Sequence, residues 1–98
     1  LKDEGNKYFM AHDYKNALLH YEQVLSMANI SDEIFVKTAS NQVAALIAWD
    51  GTTRKMMETA VFNVQKATLM EPSNPKLFYR LGQAQEWLGD LTGAKKST

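Results

Sequence analysis

Apolar residues recur at three- and four-residue steps through most of the chain, which is the spacing of an amphipathic helix rather than of a strand. In residues 14–28 this apolar face consists of Ala17, Leu18, Tyr21, Val24, Leu25 and Ala28. Comparable stripes run through residues 33–49 and 54–70. The pattern therefore predicts an all-α fold made of several short helices.

Polar and turn-forming residues separate the apolar stripes and set the predicted helix ends. Asp13, and either Ser31 or Asp32, are suited to cap the helices that follow them. Gly51 lies in the clearest turn, and Pro72 ends a helix because it cannot continue the backbone hydrogen bonds. The predicted helices span residues 1–11, 14–28, 33–49, 54–70, 75–88 and, after a turn at 89–90, 91–96.

Composition narrows the possible functions without naming one. The 98 residues suit one small domain, and equal numbers of basic and acidic residues (11 each) provide no general attraction to nucleic acid or membranes. Cysteine is absent, which excludes disulfides and thiolate catalysis, and His12 and His20 lack the partners of a metal site. We expect no cofactor and no catalytic residues.

The two ends of the sequence suggest a piece of a longer protein. The chain begins at Leu1 and ends in a basic segment, so we expect further residues on both sides. No apolar run approaches the roughly 20 residues of a membrane span, and no signal peptide is visible. These features favour a cytoplasmic setting, with the nucleus as an additional one.

The chain also repeats itself. Ala60 and Ala94 are 34 residues apart, and Gly82 precedes Ala94 by the same 12 residues that separate Gly5 from Ala17. A helix–turn–helix period of about 34 residues is typical of tetratricopeptide repeats. The chain resembles that family along nearly all its length, and the matching positions are Gly5, Tyr8, Ala17, Tyr21, Val24, Ala60, Ala67, Pro72, Leu81, Gly82 and Ala94.

The resemblance implies a right-handed superhelical solenoid of antiparallel helix pairs. The repeats would span residues 1–31, 32–73 and 74–98, the last one incomplete. In the second repeat, Ser40 occupies the glycine position and about eight extra residues separate it from Ala60. We therefore expect longer helices, or a looser turn, in that repeat.

Five polar residues fall on the first helices of the three pairs, which line the inner face of such a stack. Lys2 and Asn6 are four residues apart, as are Lys76 and Arg80, and Asn41 lies on the helix between these pairs in sequence. Residues four apart share one helix face. Ammonium, guanidinium and amide groups are donors suited to a carboxylate.

This set resembles the carboxylate clamp of co-chaperone tetratricopeptide domains, whose pattern Lys2, Asn6, Asn41, Lys76 and Arg80 fill completely. The resemblance implies binding of the C-terminal Glu-Glu-Val-Asp of cytosolic heat-shock chaperones of the ninety- or seventy-kilodalton class. The first three residues would hold the terminal carboxylate. Lys76 would help to hold the last residue, and Arg80 would reach an upstream acidic side chain or carbonyl.

Four further residues are weaker candidates for peptide contact: Phe9, Ala44, Ile47 and Gln83. Ordinary core packing explains Ala44 and Ile47 equally well. Two other functions remain open for the chain as a whole. The first is a scaffold that binds an internal or helical peptide. The second is a recruiting module attached to an enzyme domain such as a peptidyl-prolyl isomerase. The oligomeric state is not indicated by the sequence.

Overall fold

The computed structural model describes residues 7–92, which form helices joined by short loops and contain no strand. Residues 7–10 are helical and form the described part of α1. The other helices are α2 (Tyr14–Leu25), α3 (Asp32–Ala48), α4 (Arg54–Met70) and α5 (Pro75–Thr92). The predicted all-α fold is confirmed.

Side-chain caps begin three of these helices. The Asp13 carboxylate accepts a hydrogen bond from the backbone N–H of Asn16 at 3.4 Å, so it caps α2. The Ser31 hydroxyl accepts one from the N–H of Ile34, and Thr53 caps α4 in the same way. Each cap satisfies a backbone donor that the first helical turn leaves without a partner.

Helix α3 lies at the centre of the packing, in contact with α2, α4 and α5. Small residues on the facing surfaces let the helix axes approach closely. These fully buried residues are Ala17, Ala39, Ala45, Ala60, Ala67 and Ala84. Large side chains fill the spaces between them, among them Tyr21, Leu46, Met57 and Leu77. The result is an elongated stack of helical hairpins measuring 43 × 31 × 20 Å.

The helices of the second predicted repeat are longer than their counterpart in the first. Helices α3 and α4 each have 17 residues, whereas α2 has 12. The extra residues between Ser40 and Ala60 thus extend the helices, as expected. Helix α2 ends at Leu25, earlier than predicted, because the Ser26 hydroxyl donates to the carbonyl of Gln23 and competes with helix continuation.

The predicted turn at residues 89–90 is wrong, since α5 continues through Gly89 to Thr92. A glycine inside a helix costs only about 1 kcal/mol. Trp87 and Leu88, just before it, pack against the core and hold this part of the helix in place. Residues 91 and 92, which were expected to begin a sixth helix, therefore belong to α5, and the rest of that segment lies outside the described residues.

No helix within residues 7–92 is long and apolar enough to cross a membrane. The same residues contain no group of three or more histidine, aspartate or glutamate side chains that could hold a metal ion.

Candidate functional site

Helices α3 and α5 pack against each other and form a small pocket between them. Its volume is about 180 Å³. The lining contains both apolar and polar side chains: Val36, Lys37, Ser40, Asn41, Asn74, Lys76 and Leu77. Two residues of the predicted clamp, Asn41 from α3 and Lys76 from α5, therefore meet at one pocket.

Arg80 lies one turn after Lys76 on α5 and is held by its neighbours. Its Nε atom donates a hydrogen bond to the Ser40 hydroxyl at 3.4 Å, and its Nη1 atom donates to the Gln83 side-chain oxygen at 2.8 Å. The guanidinium also lies over the Tyr79 ring, 5.7 Å from its centroid. Because Ser40 lines the pocket, these contacts fix Arg80 beside it.

Asn74 fixes the beginning of α5 on the other side of the pocket. Its side-chain oxygen accepts a hydrogen bond from the backbone N–H of Lys76 at 3.0 Å. Its amide nitrogen donates to the Glu71 carboxylate at 3.0 Å, which ties α5 to the end of α4. The backbone that carries Lys76 is therefore held in place, while its ammonium group stays exposed to solvent.

The predicted clamp residues divide into two groups in the structure. Asn41 and Lys76 line the same pocket, and Arg80 is linked to it through Ser40. Asn41 is half-buried and already makes a contact within the protein. Lys2 and Asn6 lie outside the described residues. Among the described residues, the structure thus brings together the predicted clamp residues of α3 and α5.

In sequence, the chain is similar to segments of longer proteins. It is 33% identical over 96 residues to protein unc-45 homolog B of Homo sapiens, an alignment that covers 98% of this chain and 10% of that protein. It is 35% identical over 97 residues to the heat-shock protein cognate co-chaperone sgt12 of Aspergillus fumigatus, with coverages of 99% and 26%.

These likenesses concern only a part of each relative. The chain spans between about a tenth and a quarter of their lengths. No family model matches the chain. No solved structure matches it either.

The weaker candidates differ in their surroundings. Ala44 is half-buried and Ile47 is 36% exposed, and they follow Asn41 on α3 by three and six residues. Neither lines the pocket. Phe9 is half-buried and packs edge-to-face on Tyr14, so packing alone accounts for it. Gln83 contacts Arg80 directly.

Lys37 is a pocket residue that the sequence analysis did not single out. It lies on α3, four residues before Asn41, and its side chain is exposed at the pocket lining. The signal was present in the sequence, because Lys37 and Asn41 repeat the spacing of Lys2 and Asn6. The placement of Lys37 at a pocket depends on α5 lying opposite, which periodicity along one helix does not predict.

A larger pocket of about 430 Å³ lies between α2, α3 and α4 and includes no predicted clamp residue. Its polar side chains include Gln42 and Asn63, which are hydrogen-bonded to each other across α3 and α4 at 3.1 Å. Size alone would favour this pocket as a ligand site. The smaller pocket has the better chemistry for an anion, because its lining includes a lysine from each of two helices and no acidic residue.

Proposed function

We propose that this chain is a protein–protein interaction module that binds peptides with a free, acidic C terminus, as a co-chaperone or adaptor domain. The observation that carries the proposal is the pocket shared by Asn41 and Lys76, with Arg80 fixed beside it. Similarity to a protein named as a heat-shock cognate co-chaperone supports the same role. The module itself would be non-enzymatic and would work in the cytoplasm or also in the nucleus.

The proposed ligand is the C-terminal Glu-Glu-Val-Asp of cytosolic heat-shock chaperones. Asn41, together with Lys2 and Asn6, would bind the terminal carboxylate. Lys76 would bind the last residue, and Arg80 would bind an acidic side chain or carbonyl further upstream. The forked guanidinium suits a planar carboxylate, and the contacts to Ser40 and Gln83 reduce the side-chain entropy lost on binding.

The terminal carboxylate should contribute a large share of the affinity. Charge-assisted hydrogen bonds contribute roughly 1.5–3 kcal/mol each. We therefore expect calorimetry to show strong loss of binding when the C terminus of a Glu-Glu-Val-Asp peptide is amidated. Arg80→Ala should weaken binding of the free-acid peptide by about tenfold or more, with helicity unchanged by circular dichroism.

Arg54→Ala is the matched control for Arg80→Ala. Arg54 is an exposed arginine of α4 that pairs with Glu58 at 3.2 Å, and it lines neither pocket. An exposed pair of this kind contributes little to stability. Both variants lose one positive charge. A difference between their peptide affinities therefore reports the loss of a specific contact between Arg80 and the peptide. Equal binding of the free-acid and amidated peptides would instead favour a scaffold for internal or helical segments.

A further inference from the structure

The pocket between α3 and α5 contains a lysine from each helix. Lys37 and Lys76 both line it, and each lies four residues before another polar candidate, Asn41 on α3 and Arg80 on α5. The two helices therefore present the same arrangement of a cation followed, one turn later, by a second hydrogen-bonding group. Lys37 corresponds to Lys76 in this arrangement.

The charged residues that line the pocket are both basic. Its lining includes two lysines and no acidic residue. Within the described residues, neither Lys37 nor Lys76 forms an ion pair with a carboxylate. Arg54 and Glu58, by contrast, do form one. Two like charges beside one small cavity repel each other, and an anion between them would interact favourably with both.

The size and lining of the pocket limit what that anion is. At about 180 Å³ the pocket is smaller than the roughly 300–1,000 Å³ of sites that bind whole small molecules. It therefore suits a single side chain. The buried side chains of Val36 and Leu77 supply an apolar wall for the methylene group of an acidic side chain. The lysines are exposed and remain free to close over its carboxylate.

We propose that Lys37 is a peptide-binding residue and that, with Lys76, it binds the side-chain carboxylate of the peptide's last residue. This inference rests on the proposed function, in which Asn41 holds the terminal main-chain carboxylate. Asn41 lines the same pocket, so the acidic group nearest to it is the side chain of that last residue. Lys37 thereby contributes to selection of an acidic C-terminal residue.

Calorimetry with two free-acid peptides tests this assignment. One ends in Glu-Glu-Val-Asp and the other in Glu-Glu-Val-Asn, so they differ only in the last side chain. Lys37→Ala should weaken binding of the first peptide by about three- to tenfold, a modest effect because the lysine is exposed. It should change binding of the second peptide by less than about twofold, because that peptide lacks the carboxylate that Lys37 is proposed to bind.

Lys15→Ala is the matched control, since Lys15 is an exposed lysine of α2 that lines neither pocket. It should leave the affinities for both peptides within about twofold of those of the unmodified chain. This control measures the effect of losing one positive charge away from the pocket. If Lys37→Ala behaves like Lys15→Ala, the role of Lys37 is overturned while the proposed function stands. Equal losses for both peptides would overturn the assignment to the last side chain. Failure of the unmodified chain to bind either peptide would overturn the proposed function itself.

Discussion

At the scale of single residues, Tyr21 combines complete burial with an unsatisfied polar group. The side chain is 1% exposed, and its hydroxyl has no hydrogen-bond partner within the described chain. Burial also raises the pKa of Tyr21 above its ordinary value of 10.0, because the charged phenolate would be poorly solvated there. The ring fills the space between α2 and its neighbours, while the hydroxyl reduces the stability gained.

Replacing Tyr21 by phenylalanine should therefore leave stability unchanged or raise it by up to about 1 kcal/mol near neutral pH. Above pH 10.0, the ordinary pKa, the unfolded chain releases the tyrosine proton while the folded chain keeps it. The unfolded state then binds fewer protons, so the unmodified protein loses stability as pH rises. Urea unfolding of both proteins at neutral and at alkaline pH should show the phenylalanine variant lacking part of this loss. The same pH dependence in both proteins would contradict this account.

At the scale of helices, one side-chain hydrogen bond joins α3 and α4 within otherwise apolar packing. The Asn63 amide nitrogen donates to the side-chain oxygen of Gln42 at 3.1 Å, and Gln42 is 5% exposed. A buried amide that loses its partner is costly, because neither water nor protein then replaces the bond. The pair therefore fixes how α3 and α4 lie relative to each other.

Asn63→Ala should lower the free energy of unfolding by about 1–3 kcal/mol, as measured by urea denaturation. Adding Gln42→Leu should recover part of this loss, since no buried amide then remains without a partner. Additive losses in the double variant would show that the two side chains do not act as a pair.

The sequence predicted the helices well where local signals agree with packing. Helix α4 begins and ends at the predicted residues, because Thr53 caps its first turn and Pro72 prevents its extension. Helix α5 extends to Thr92, four residues beyond its predicted end, because Gly89 is only a weak helix breaker. The packing of Trp87 and Leu88 against the core outweighs this weak preference, and such packing is not visible in the local sequence pattern.

The site was predictable only in part, for a related reason. The sequence predicted Asn41, Lys76 and Arg80 as site residues, and the structure places Asn41 and Lys76 at one pocket with Arg80 beside it. The placement of Ser40 and Lys37 at this pocket depends on how closely α3 and α5 approach. Ser40 is 3% exposed because its hydroxyl faces Arg80 across that contact, which no pattern within one helix reveals.

At the scale of the whole molecule, the charge is balanced and only its placement is uneven. The net charge is zero, so electrostatic attraction for an acidic peptide would have to come from the cations beside the pocket between α3 and α5. Peptide affinity should fall several-fold as salt rises from about 0.05 to about 0.5 M, since exposed charges are screened over roughly 8–10 Å at moderate salt. Calorimetry across this range provides the measurement. A flat response would favour an apolar mode of binding.

The hydrogen bond between Ser40 and Arg80 joins α3 to α5, with α4 intervening in sequence. The direction of the guanidinium is therefore coupled to the distance between these two helices. A change in the curvature of the described stack would alter that distance and turn the arginine without any change in the pocket residues themselves. Under the proposed function, bending of the stack would therefore alter the affinity for the peptide.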